Sequence, residues 1–168
     1  MFEQRVLGVD PGTASVGLAV VDGGSPPAVV WAATVRTPPA TVPAERLLRV
    51  YRSAREALGA HHPAAIAIER LMWGRNSGSA MEVARASGVI MLAAAEAGLP
   101  VHEYAPLEVK MAVTGVGNAS KETVRRSLGR LAGLAEVPAD PDAADAVAVA
   151  LCHLQQSRLR ALAGGAPR

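Results

Sequence analysis

The chain opens with three short apolar stretches separated only by tight turns, and this feature most strongly limits the folds open to it. Strand-like residues lie at Arg5–Asp10, Ala14–Asp22 and Ala28–Thr37. The two connections contain a Pro-Gly pair and a Gly-Gly-Ser-Pro-Pro run, both of which are turn formers. Strands joined by such short turns pair with their neighbours in sequence, so we expect an antiparallel meander at the start of the fold.

The rest of the chain alternates helical and strand-like patterns. Helical spacing predicts helices at Pro43–Ala60, Ser79–Ala97, Pro106–Val113, Ser120–Leu134 and Asp140–Leu162, and two further strands are predicted at Ala64–Glu69 and Leu99–Tyr104. This order indicates an α/β fold with a five-stranded mixed sheet flanked by helices. With 168 residues, half of them hydrophobic, we expect one domain over residues 1–162 and a flexible tail over 163–168.

Two features of the sequence bear on where the protein works. Cys152 is the single cysteine, which excludes an internal disulfide and favours a reducing, cytoplasmic setting. The strongly apolar stretches are shorter than a membrane span requires, and the first residues lack the basic start and apolar run of a signal peptide. We therefore expect no membrane partner.

Four acidic residues stand where a carboxylate is costly to bury. Asp10 and Glu69 each end an apolar strand, and Asp142 and Asp145 lie on one face of the first turns of an otherwise apolar helix. Asp140 has a simpler interpretation, because an aspartate before a proline suits the N-cap of that helix. If the four converge, their repulsion raises their pKa values and a hard divalent cation would relieve it. Spacing alone leaves a two-metal nuclease site and coincidence both open.

Five motifs, in this order, resemble one known family over nearly the whole chain. They are D-P-G-T at 10–13, A-I-E-R at 67–70, R-N-S-G-S-A at 75–80, K-M-A-V-T-G-V-G-N-A-S-K at 110–121 and D-A-A-D-A-V-A-V-A at 142–150. Together they resemble the RuvC family of Holliday-junction resolvases. The resemblance implies an RNase H-like fold and a homodimer that resolves four-way DNA junctions by paired symmetric nicks during recombination and repair. It further implies products with 5′-phosphate and 3′-hydroxyl ends, and a branch-migration motor complex as partner.

The resemblance also implies roles for particular residues. Asp10, Glu69, Asp142 and Asp145 match the family's metal-binding acids, which implies two Mg²⁺ or Mn²⁺ ions that activate water for phosphodiester hydrolysis. Some members carry His at the position of Asp142, so metal preference can differ at that position. The two functional lysines of the family match residues that are also the only lysines of this chain, Lys110 and Lys121. Both are expected to contact phosphate and to stabilise developing charge.

The DNA surface is predicted from the loop that follows Glu69. Met72, Trp73, Arg75 and Asn76 combine apolar and basic groups, a device for unstacking bases beside phosphate contacts. The family carries an aromatic residue where this chain has Met72, so either Trp73 takes over base stacking or Met72 acts as a wedge. Further candidate phosphate contacts are Arg75, Arg125, Arg126 and Arg130. When the four acids are left out of the charge count, 17 basic and 11 acidic residues remain, and this excess of positive charge suits a polyanionic partner.

Three other functions compete with a junction resolvase. A D-P-G-T turn is also similar to the phosphate loop of actin-like phosphotransferases, but those need two such domains and a longer chain. Another RNase H-like nuclease, acting on RNA–DNA hybrids or on ribosomal RNA precursors, would keep the acidic site. A non-catalytic junction-binding protein would have no need of all four acids.

Overall fold

The computed structural model describes residues 5–38, 40–70, 77–130 and 137–164. In chain order the elements are β1 (Arg5–Pro11), β2 (Ser15–Asp22), β3 (Ala28–Arg36), α1 (Pro43–His61), β4 (Ala65–Glu69), α2 (Ser77–Glu96), β5 (Val101–Tyr104), α3 (Pro106–Thr114), α4 (Lys121–Arg130) and α5 (Pro141–Leu162). Within these ranges, ten elements therefore stand in the predicted order. The last part of the predicted helix 120–134 and the end of the predicted tail lie outside the described residues.

Over the part of the chain that the structure describes, the sheet has five strands in the order β3-β2-β1-β4-β5. The first three strands pair antiparallel, as their short turns predict, and β4 and β5 add in parallel beyond β1. The mixed sheet is thus confirmed. Parallel pairing of β1 and β4 matters most for function, because it brings the carboxyl ends of two strands, and the acid on each, to one edge of the sheet.

The two faces of the sheet are covered by different helices. Leu7, Val9 and Ile68 belong to a buried core with α1 and α2, whereas Val6 and Ala67 belong to a second buried core with α3, α4 and α5. Successive strand residues point to opposite faces. Asp10 therefore shares the face of Val6, and Glu69 shares the face of Ala67, which is the face covered by α5.

Helix α5 approaches the sheet closely because two strand residues have no side chain. A Cβ added at Gly8 would lie 2.1 Å from the Ala146 carbonyl oxygen, and one at Gly17 would lie 1.9 Å from the Asp142 carbonyl oxygen. Both separations are far below van der Waals contact. Gly17 also pairs with Asp10 across the β1–β2 ladder. The backbone of Asp142 thus rests on the strand beside Asp10.

The helix begins as the Asp-Pro pair predicts. Asp140 is the N-cap of α5, and its carboxylate accepts hydrogen bonds from the backbone amides of Asp142 and Ala143 at 3.1 and 3.5 Å. The same carboxylate receives hydrogen bonds from Thr34 and Arg36 at the end of β3. The cap therefore fixes the start of α5 to the sheet edge. Among the described residues, no helix is long and apolar enough to span a membrane.

Candidate active site

Asp10 and Glu69 lie side by side at the end of β1 and β4. The parallel register pairs Val9 with Ile68, so the next residue of each strand carries its acid to the same edge. The two side chains hydrogen-bond to each other, and burial together with the charges of Glu69 and Asp145 raises the pKa of Asp10 to about 8. Burial also raises the pKa of Glu69. Burial and mutual repulsion thus favour the protonated form of this pair of carboxyl groups in the metal-free chain.

The acids of α5 face the same edge but have basic or hydroxyl partners. Lys121, at the start of α4, donates from Nζ to Asp145 Oδ2 at 3.0 Å. Ser15, at the start of β2, donates from Oγ to Asp142 Oδ2 at 2.6 Å. The charges of Asp10 and Asp142 add to the Asp145 contact in raising the pKa of Lys121. The four predicted acids therefore act on one another or on a shared lysine, as convergence requires.

The two predicted lysines come from separate helices. Lys121 is the first residue of α4, and its side chain is 81% exposed although its ammonium touches Asp145. Lys110 lies in α3, where its positive charge lowers the pKa of Glu69 against the opposing effect of burial. Both ammonium groups thus act electrostatically on the acidic cluster, from opposite ends of the connection between α3 and α4.

The carboxylate groups of the site can be assessed as metal ligands from the chemistry of their oxygen atoms. Across the described part of the chain, no three His, Cys, Asp or Glu side chains are already arranged to hold a metal ion. Instead, one carboxylate oxygen of Asp145 accepts a hydrogen bond from Lys121, and one carboxylate oxygen of Asp142 accepts a hydrogen bond from Ser15. Carboxylate oxygens are nevertheless the ligands that Mg²⁺ and Mn²⁺ prefer. A cation would also offset the burial and the repulsion that raise the pKa of Asp10, so the donor set fits a hard divalent ion.

Two features of the site were not predicted from the sequence. Strand alternation could have identified Ser15, because it shares the α5-facing side of β2 with Gly17, Ala19 and Val21. No local pattern could have shown that Lys121 reaches Asp145, since the two residues are 24 positions apart on different helices. No basic residue lies within one helical turn of Asp145 in the sequence of α5, and the ammonium group beside it comes instead from Lys121 of α4.

Other candidate residues have different positions. The predicted base contacts Met72, Trp73, Arg75 and Asn76 lie outside the described residues and stay predictions. Arg125 donates to the Ala139 carbonyl oxygen at 3.0 Å and Arg126 pairs with Glu122 at 2.7 Å, so each has a partner within the protein. Arg130 is exposed at the end of α4. None of these contacts tests a role toward DNA.

The buried polar groups of α5 beyond its first turns serve the core. His153 is 2% exposed, and its two ring nitrogens hydrogen-bond to the Tyr104 hydroxyl at 2.8 Å and to the Ser157 hydroxyl at 3.2 Å. Burial lowers its pKa to about 4, so the ring is neutral near neutral pH. Cys152 is fully buried, and burial raises the pKa of its thiol to about 12. Packing is thus sufficient to explain both.

Comparison with known proteins gives a consistent set of relatives. The family profile described as crossover junction endodeoxyribonuclease RuvC matches residues 6–153. The crossover junction endodeoxyribonuclease RuvC of Moorella thermoacetica is 48% identical over 150 residues, covering 88% of this chain and 89% of that protein. The protein of the same name from Pelotomaculum thermopropionicum is 45% identical over 149 residues, covering 88% and 91%.

Solved structures agree with these relatives. T. thermophilus RuvC in complex with a Holliday junction substrate superimposes with a TM-score of 0.86 at 36% identity, covering 93% of this chain and 96% of that one. The yeast mitochondrial Holliday junction resolvase Ydc2 has a TM-score of 0.68 at 13% identity, which supports the fold alone. The predicted RNase H-like α/β fold is confirmed.

Proposed function

This chain belongs to the RuvC family of crossover junction endodeoxyribonucleases, and we propose that Asp10, Glu69, Asp142 and Asp145 form the centre with which it cuts four-way DNA junctions. The enzyme is a nuclease that resolves Holliday junctions and depends on a divalent metal. The observation that carries the assignment of the site is geometric: the parallel pairing of β1 and β4 brings Asp10 and Glu69 to the sheet edge on which the first turn of α5 rests, and the raised pKa of Asp10 agrees with this crowding. Crowded, partly buried acids of this kind are typical of a functional site.

The four acids are proposed to hold two Mg²⁺ or Mn²⁺ ions. The charges of both Glu69 and Asp145 act on Asp10, so Asp10 is the residue that we propose would be shared by two ions. When bound, such ions lower the pKa of a water molecule and stabilise the departing 3′ oxygen. Metal binding would also require that Asp10 lose its proton and that Asp145 give up its contact with Lys121 in order to become a metal ligand.

The lysines are proposed to act on the phosphate. Once Asp145 serves as a metal ligand, the largely exposed Lys121 ammonium can turn toward a phosphate oxygen at the cut. Lys110 approaches from α3 on the Glu69 side. Two cations fixed near the scissile phosphate stabilise the charge that develops as water attacks.

Replacing Lys121 with Met is expected to lower the single-turnover cleavage rate about 100-fold while changing the junction Kd by less than about 5-fold. The reason is that positioned charge acts on the transition state, whereas many other contacts hold the junction. Lys121→Arg keeps a positive charge and is expected to retain more activity than Lys121→Met. Equal rates for Lys121→Met and the wild type would contradict the proposed role, and a rate loss explained entirely by weaker binding would do the same.

A homodimer is proposed through the outer face of α2. One side of this helix is buried against the sheet, through Ala86, Ile90 and Ala93. The opposite side is exposed and carries a stripe of apolar or small residues at helical spacing, bordered by the charged Glu82, Arg85 and Glu96; the stripe consists of Met81, Ala84, Gly88, Leu92 and Ala95. A helix apolar on both sides is buried on both sides. A second copy of the chain is the proposed partner of this face.

Light scattering at micromolar concentration is expected to show a dimer, and Gly88→Glu is expected to convert it to a folded monomer. The monomer has open space at Gly88, so the substitution leaves the fold of one chain intact. Gly59→Glu is a matched control, because Gly59 also has open space but lies on α1. A wild-type protein that is monomeric, or a Gly88→Glu variant that stays dimeric, would refute this interface.

Substrate choice separates the junction resolvase from its rivals. A labelled four-way junction able to branch-migrate is compared with its linear duplex and with an RNA–DNA hybrid, in Mg²⁺, Mn²⁺ or chelator. Paired symmetric nicks in the junction alone, with 5′-phosphate ends and only in the presence of metal, are expected. Preferential cutting of the hybrid would move the protein to another RNase H-like nuclease. Junction binding without cutting would indicate a non-catalytic binding protein. A branch-migration motor as partner and a cytoplasmic location stay predictions.

A further inference from the structure

The turn between β1 and β2 connects two residues of the proposed active site. Asp10 precedes it, and Ser15, which donates to Asp142, follows it. The Gly12 amide donates to the Ser15 carbonyl oxygen at 3.0 Å, which closes the turn. A shift of this turn would therefore move Asp10 and the partner of Asp142 together.

The outer carbonyl groups of the turn are held by neighbouring elements. The Ala14 carbonyl oxygen accepts hydrogen bonds from the Thr37 amide at 2.8 Å and from the Thr37 hydroxyl at 3.1 Å. The Thr13 carbonyl oxygen accepts a hydrogen bond from the guanidinium of Arg46, in the first turns of α1. A charged donor forms a stronger bond than a neutral one, so Arg46 supplies the firmer of the two anchors.

Arg46 is also held in place on its other side. Its guanidinium lies 3.4 Å from Glu82 of α2, and its side chain is only 14% exposed. The cleft beside it, between the turn, α1 and α2, has a volume of about 30 Å³, which is room for about one water molecule. Arg46 is therefore largely buried and has protein partners on two sides, Thr13 and Glu82, which favours a structural contact over a contact with a ligand.

We propose that Arg46 is a positioning residue for the cleavage reaction, which holds the turn that sets Asp10 and Ser15 relative to Asp142. The inference rests on the proposed catalytic role of the acids. Arginine suits this position because its planar fork can serve Thr13 and Glu82 at once, whereas a lysine ammonium on a flexible stem cannot reproduce that geometry. Small displacements of catalytic groups have large kinetic effects, and about 1 Å can cost about 100-fold in rate.

The test compares Arg46→Met and Arg46→Lys with the wild type in single-turnover cleavage, junction binding in chelator, and calorimetric Mn²⁺ binding without DNA. Arg46→Met is expected to lower the cleavage rate about 30- to 100-fold and to weaken Mn²⁺ binding about 10-fold. Arg46→Lys is expected to lose about 5- to 10-fold in rate. Both variants are expected to bind the junction within about 3-fold of the wild type, because the Arg46 guanidinium is largely buried and is already bonded to Thr13 and Glu82.

Arg52→Met is the matched control, since Arg52 is an exposed arginine on the same helix. It removes one positive charge and is expected to leave the cleavage rate and Mn²⁺ binding within about 2-fold of the wild type. The proposal is overturned if folded Arg46→Met matches the wild type in rate and Mn²⁺ binding, or if Arg52→Met loses as much rate. If Arg46→Met does not fold, Arg46→Lys serves as the test variant. The proposal is then overturned if Arg46→Lys cleaves the junction at the wild-type rate and binds Mn²⁺ as tightly as the wild type. A wild-type protein that does not cut junctions would instead overturn the proposed function.

Discussion

Replacing Asp10 with Asn is expected to abolish junction cleavage and, at the same time, to stabilise the metal-free protein. The carboxylate is costly in the apo fold, because burial and the charges of Glu69 and Asp145 oppose its ionisation. Asn occupies a similar volume and can donate to Glu69 without that cost. Loss of a proposed metal ligand is expected to reduce the cleavage rate by at least about 1000-fold. The gain in unfolding free energy is expected to be several kcal/mol at pH 8, with about 5 kcal/mol as the upper bound.

The pH dependence of this gain has a defined sign. The pKa of Asp10 is about 8 in the folded chain and near 3.8 in the unfolded chain. Below about pH 4 both states hold the proton and the carboxyl costs nothing. Between pH 4 and 8 the unfolded state loses its proton first, so the wild type loses stability relative to Asp10→Asn as pH rises. Above pH 8 the difference is constant.

Urea unfolding in chelator at pH 5, 6.5 and 8 measures this difference directly. Asp22→Asn is the matched control, because the hydrogen bond from Arg5 lowers the pKa of Asp22, and its replacement is expected to destabilise the protein. A destabilised Asp10→Asn variant, or a stability gain that shrinks as pH rises, would count against a crowded acidic centre. Cleavage by Asp10→Asn at the wild-type rate would count against its catalytic role.

Among substitutions of glycine by alanine, Gly17→Ala is expected to reduce the stability of the fold the most. The new Cβ would lie 1.9 Å from the carbonyl oxygen of Asp142 and 2.4 Å from its carbonyl carbon. Both are backbone atoms in the first turn of α5 and cannot rotate away. The helix must therefore move off the sheet, which exposes part of its core and displaces Asp142 and Asp145. We expect a loss of about 3 kcal/mol or more in unfolding free energy.

Urea unfolding and cleavage of the same preparation test this expectation. Cleavage by the folded fraction is expected to fall at least about 100-fold, because the acids of α5 no longer meet those of the sheet. Gly129→Ala is the control, since Gly129 lies in α4 with open space around an added Cβ. It is expected to stabilise the helix by about 0.5–1 kcal/mol. A Gly17→Ala variant with wild-type stability and activity would mean that α5 does not rest on Gly17.

Local sequence patterns predict much of this fold. Turn formers and apolar alternation place β1, β2 and β3 in an antiparallel meander, and apolar periodicity places α1 and α5 within a few residues of their observed bounds. An acid at the end of an apolar strand is also visible in the sequence, which is why Asp10 and Glu69 stand out. The family resemblance then supplies the roles of these acids.

Contacts between distant elements could not be predicted in the same way. How closely α5 approaches the sheet depends on Gly17 lying under one particular carbonyl group, which only the three-dimensional packing determines. The same holds for Lys121 on Asp145 and for Arg46 on the turn after Asp10. Each of these contacts joins residues on different elements, and no regular spacing in the sequence relates such residues. Side-chain reach and helix placement decide them.

The central claim is that four acids on β1, β4 and α5 form one divalent metal site. Anomalous diffraction from crystals soaked in Mn²⁺ tests it most directly, with Asp10→Asn crystals as the control. We predict Mn²⁺ peaks about 2.0–2.3 Å from oxygens of Asp10, Glu69 and at least one of Asp142 and Asp145, with Lys121 turned away from Asp145 and the peaks weakened in the variant. Crystals that show no Mn²⁺ among these acids, with Lys121 still on Asp145 at saturating metal, would contradict the account.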